Sequence, residues 1–178
     1  MKALLIIFLA TSCVIAQDQA QQTRLAPSCG PEQVKFAVKS QKTAPAPSPP
    51  EAGKARVYFI EDNSSFQSIP RPTTRLGLDG EWVGAAQGNS YFSFSVDPGE
   101  HHVCASWQTW VGPGVDAGHK TAAAHFTAAT GGVYYFRVTN TFIRELHQPP
   151  TLKLELLDSD EGQLLTNTYA LSTFQKKK

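Results

Sequence analysis

Apolar and polar residues alternate through residues 75–107, and that alternation predicts a run of short strands. Phe92, Phe94 and Val96 fall on one face of such a strand and Ser93 and Ser95 on the other, because side chains alternate with period two. Asp79-Gly80 lies between two alternating segments. This pair readily adopts the positive φ values of a two-residue hairpin turn, so 75–78 is expected to pair with 81–85. Further strands are expected at 55–60, 90–96, 102–107, 120–127, 133–139 and 152–156. Asp97-Pro98-Gly99-Glu100 joins 90–96 to 102–107, and Gly131-Gly132 reads as a turn across which 120–127 and 133–139 pair. The expected core is Phe92, Phe94, Val96, Phe126, Tyr134, Phe136, Val138, Leu152, Leu154 and Leu156. Residues 61–74, with Asn63, Ser64, Ser65, Pro70 and Pro72, read as a long loop. Ser159-Asp160-Glu161 reads as the cap of a single helical turn, which Gly162 weakens. Seven to eight short strands at this spacing imply an all-β fold, an antiparallel β-sandwich.

Upstream of residue 55 the pattern changes. Lys2, the apolar run from Ala3 to Ala10 and the small-residue exit Val14-Ile15-Ala16 have the order of an export signal, so residues 1–16 are expected to be removed after Ala16. Leu9-Ala10-Thr11-Ser12-Cys13 offers an alternative, a lipoprotein box with Cys13 as the lipidated residue. Either way the mature chain is expected outside the cytoplasm, in the periplasm or cell envelope. It touches a membrane only if Cys13 carries lipid. Residues 17–54 read as an extended approach segment. Within it Ala44-Pro45-Ala46-Pro47-Ser48-Pro49-Pro50 is a polyproline spacer, and 34–39 is a short edge strand or a peptide lying on the domain. The sandwich domain is expected over 55–174, with a basic tail at 175–178.

Composition narrows the partners. The chain has 178 residues, 41% hydrophobic and 17% charged, with a net charge of +1, so no basic field is available to hold a nucleic acid. Cys29 and Cys104 are the cysteines left after cleavage at Ala16, and in an exported chain they are expected to form a disulfide. Cys104 shares a strand face with His102 and Ser106, opposite Val103, Ala105 and Trp107, and is therefore expected to point outward. The bond would fasten the approach segment across the outside of the sheet, a closure worth about 4 kcal/mol in the chain-entropy account.

His102 and His125 are expected to share an outer face on neighbouring strands. No spacing of metal-ligand type accompanies the histidines His101, His102, His119, His125 and His147, and neither a metal nor another cofactor is expected. No G-x-S-x-G elbow and no phosphate-cradling glycine loop occurs, so no catalytic residue is nominated and the chain reads as non-enzymatic. Tyr91 and Trp110, with His102 and His125, make up a possible binding surface; Trp107 reads as core, and Trp110 stays open between the two roles. Asn63-Ser64-Ser65 is a glycosylation sequon of use only in a eukaryotic secretory path.

The combination of GLDGEWVG, SYFSFSVDPGEHHVC and HFTAATGGVYYFRV resembles the bacterial domain-of-unknown-function 2846 family across residues 55–157. Its DG-x-x-x-G and PG-x-H pieces are also similar to the PEGA type of small envelope β domain. The resemblance implies an exported accessory module of the cell envelope, often a lipoprotein, and supplies no catalytic residues. The partner implied is an envelope protein or a glycan. A carbohydrate- or peptidoglycan-binding module and an unrecognised hydrolase are the alternatives.

Overall fold

The computed structural model describes residues 29–42, 49–108, 120–146 and 148–178. Among them, ten strands make two sheets stacked as a sandwich. The strands are β1 (Phe36–Gln41), β2 (Ala55–Asp62), β3 (Thr73–Leu78), β4 (Glu81–Gln87), β5 (Ser90–Val96), β6 (Gly99–Trp107), β7 (Thr121–Ala128), β8 (Val133–Thr141), β9 (Thr151–Leu157) and β10 (Ala170–Lys176). One sheet has the order β1-β10-β5-β2-β8-β9 and the other β4-β3-β6-β7. Most pairings are antiparallel, as expected, but β2 runs parallel to β8 and β10 parallel to β5.

The Asp79-Gly80 hairpin joins β3 to β4 with φ of 49° and 88°, the positive pair that a type I′ turn requires. Two other connections cross between layers, and the second was expected to close a hairpin. β5 and β6 do not share a sheet, because Asp97-Pro98 carries the chain from one layer to the other. Likewise β7 and β8 do not pair across Gly131-Gly132. They face each other through the sandwich, with the Phe126 ring 5.0 Å from Tyr134 and 5.1 Å from Phe136. The inward residues are those the alternation predicts, but they meet face to face instead of side by side.

Val57, Phe59, Leu76, Phe92, Val103, Ala105, Phe126, Phe136 and Val138 fill the space between the sheets. Of the expected core, Phe94, Tyr134, Leu152 and Leu154 are half-buried, and Leu156 is 53% exposed on the edge strand β9. The outer face of the larger sheet is covered in turn by α1 (Ser159–Thr168), a ten-residue helix where a single turn is expected. Asp158 caps it, accepting from the Glu161 N–H at 2.8 Å. Gly162 is what lets this helix dock: a Cβ there would lie 2.2 Å from Cγ of Tyr135. Residues 36–41 take the first of the two readings given for 34–39, a short edge strand, and it belongs to the larger sheet. They pair with β10, which takes in Gln175 and Lys176 of the expected tail.

Candidate functional site

The sandwich leaves the outer face of the smaller sheet for the N-terminal segment and for a pair of histidines. Cys29 and Cys104 are disulfide-bonded, with Cα atoms 5.2 Å apart. Cys104 has the outward phase expected for it, yet it is fully buried, because residues 29–36 lie across it. Arg75 and Trp82, from β3 and β4, hold that segment. The Arg75 guanidinium sits 4.4 Å over the Trp82 ring and donates to the carbonyls of Glu32 and Val34 at 2.7 and 2.8 Å. Trp82 Nε1 donates to the Pro31 carbonyl at 2.7 Å. Gln108 pairs with both backbone groups of Phe36, at 2.8 and 2.6 Å. The clamp is thus a covalent bond surrounded by directional hydrogen bonds.

Further along the same face, His102 on β6 stands directly opposite His125 on β7. Asp79 fixes this corner. Its Oδ1 accepts from the His102 N–H at 2.8 Å while its own N–H donates to the His102 carbonyl at 2.9 Å. Both backbone groups of His102 therefore point toward β3, which makes His102–His125 a non-hydrogen-bonded cross-strand pair with the closer of the two Cα spacings, about 4.5 Å. The two rings are exposed, with centroids 6.3 Å apart. His101 has a different task. Its Nδ1 meets Asp79 Oδ2 at 2.6 Å and its Nε2 meets the Asp97 carbonyl at 2.7 Å, which ties the two turns together. Burial alone would lower the His101 pKa, but Asp79 and the Asp97 carbonyl raise it above the ordinary value. Burial would raise Asp79, but the His102 N–H and the His101 ring hold it below the ordinary value.

The same phase exposes β7 along its free side. Thr121, Ala123, His125 and Thr127 are exposed and stand opposite the even-numbered residues of β6, whose backbone groups face β3. Their own N–H and C=O groups therefore face away from β6, and among the described residues no strand pairs with that edge. β7 carries no charged residue, proline or bulge of the kind that usually blunts an edge strand. By contrast, β9 has Lys153 and Glu155, β1 has Lys39, and β4 is overlaid by the N-terminal segment.

Between the sheets lies a polar group that the alternation does not announce as a site. Glu61, fully buried, accepts at Oε1 from Asn63 Nδ2, Thr74 Oγ1 and Asn140 Nδ2, each at 3.0 Å. Trp107 Nε1 donates to Asn140 Oδ1 at 2.6 Å, extending the network. Burial pushes the Glu61 pKa well above the ordinary 4.5, against the lowering effect of those three donors. Glu61 Oε2 and Asn63 Oδ1 have no partner among the described residues, and a proton on Oε2 turns one of these two orphan acceptors into a donor. One signal was available in the sequence: Glu61 continues the inward series Ala55, Val57, Phe59.

Of the expected binding surface, the structure brings His102 and His125 together and removes Tyr91. That ring is 5% exposed, packed with Tyr58 and Tyr135 on the helix-covered face of the other sheet. Trp107 is core, as expected. Trp110, Cys13 and the leader lie outside the described residues. Asn63 of the sequon is fully buried and hydrogen-bonded in the folded chain. The described residues include no group of three or more metal-ligand side chains and no helix long and apolar enough to cross a membrane. No protein-family model, curated protein or solved structure matches the chain.

Proposed function

We propose that the chain is an exported, non-enzymatic β-sandwich module of the bacterial cell envelope, and that it works by pairing the open edge of β7 with an extended segment of another exported protein. The observation that carries this reading is the uncharged eight-residue edge of β7, whose four outward residues have their backbone groups unpaired among the described residues. Beside it, Leu156 of β9 has inward phase yet is 53% exposed, so the same side of the molecule offers an apolar contact to a partner strand. The buried Cys29–Cys104 bond supports an oxidising compartment. The resemblance to the domain-of-unknown-function 2846 family points the same way. The carbohydrate alternative relies on exposed aromatic faces; of its two aromatic candidates Tyr91 is buried and Trp110 lies outside the described residues.

A photo-crosslinking residue at position 123, with one at position 153 as control, tests the proposal in a native envelope fraction. An adduct at 123 that is absent at 153 is expected. It should disappear when Thr127→Pro is added, because the Thr127 N–H faces the open edge and its loss spares the β6 ladder. Equal adducts at both positions, or an adduct that survives Thr127→Pro, would overturn it.

A further inference from the structure

The histidine pair supports a second reading, independent of the strand edge. His102 and His125 project from adjacent strands of one sheet, not from loops, and the double hydrogen bond from Asp79 fixes the backbone of the first. Neither imidazole has a hydrogen-bond partner among the described residues, in contrast to His101, whose two ring nitrogens are both engaged. Glu100, also exposed, lies two residues before His102 on the same face and opposite Thr127, but it does not complete a group of three ligands with the pair. Cys104, on the other side of His102, is committed to its disulfide, which leaves the imidazole nitrogens as the available donors. Imidazole suits borderline divalent ions, and among these copper(II) binds most tightly at a given site.

We propose that the exposed cross-strand pair His102 and His125 forms a two-nitrogen surface site for a divalent transition-metal ion, copper(II) ahead of nickel(II) and zinc(II). Two protein nitrogens leave coordination positions open, so the site takes up an ion that water or a second molecule can also ligate.

The test is titration of the untagged, disulfide-intact chain with copper(II) alone, followed by electron paramagnetic resonance. One equivalent should bind with hyperfine coupling from two imidazole nitrogens. Removing a ligand should cost at least what losing an outer partner does, so His102→Ala and His125→Ala are each expected to weaken binding by roughly tenfold or more. Glu100→Gln and His147→Ala should each leave it unchanged. Because both histidines are exposed, the metal-free melting temperature should not move in either variant; His→Gln replaces any variant in which it does. A two-nitrogen signal that persists in His102→Ala and His125→Ala, or no stoichiometric binding by the intact chain, would overturn the site.

Discussion

At the scale of single residues, Glu61 shows how far alternation carries and where it stops. It follows Ala55, Val57 and Phe59 at the spacing of one strand face, yet residues 61–74 read as a loop; in the structure β2 runs on to Asp62 and β3 begins at Thr73, so both ends of that expected loop are strand. Its partners are not legible, since Thr74 and Asn140 lie 13 and 79 residues away and reach it only once two sheets are stacked. Burial raises the Glu61 pKa in the folded chain, so the folded state holds a proton that the unfolded state releases above about pH 4.5. Stability from this group is therefore complete below that pH and declines as pH rises toward the folded value. Glu61→Gln, which imitates the neutral acid, should flatten that slope. Urea unfolding at pH 5 and pH 8 checks it: the wild type should lose more stability across the interval than the variant. Equal slopes would mean that Glu61 is ionised in the fold. Cys104 teaches a related lesson. Its outward phase is correct, but outward does not mean exposed where another segment lies across the sheet.

At the scale of elements, strands and turns were legible and their sorting into layers was not. The Asp79-Gly80 hairpin follows from local backbone preference alone. A short link such as Asp97-Pro98 or Ala129–Gly132 serves equally to close a hairpin or to cross between sheets, and only long-range packing decides which. The last strand, β10, carries a weak signal because its central Ser172 is buried by bonding to Ser90 at 2.7 Å instead of by apolar packing. The edge strand β9 allows a graded test. Leu154 is half-buried against the core, whereas Leu156, two residues on, is 53% exposed. Leu154→Ala should cost about 2 kcal/mol, the low end for a core truncation, and Leu156→Ala no more than about 0.5 kcal/mol, as at a surface position. Chemical denaturation of the two variants compares them directly. Equal costs would mean that β9 packs otherwise.

At the scale of the whole molecule, the N-terminal segment is part of the sandwich. Its strand β1 completes one sheet and its residues 29–36 roof the other. A chain-entropy estimate of about 4 kcal/mol for the Cys29–Cys104 closure makes the disulfide a principal fastening of that roof, alongside Arg75, Trp82 and Gln108. The pairing of the two cysteines and the outward fastening were legible from the export expected of the chain and from strand phase; the hydrogen-bonded bed beneath was not, because it draws on β3, β4 and residue 108 together. The proposed function has this bond clamping an exported chain in an oxidising compartment. Non-reducing peptide mapping of the chain recovered from its native envelope tests it most directly. A single peptide pair joined through Cys29 and Cys104 is expected, and recovery of both cysteines as free thiols would overturn it.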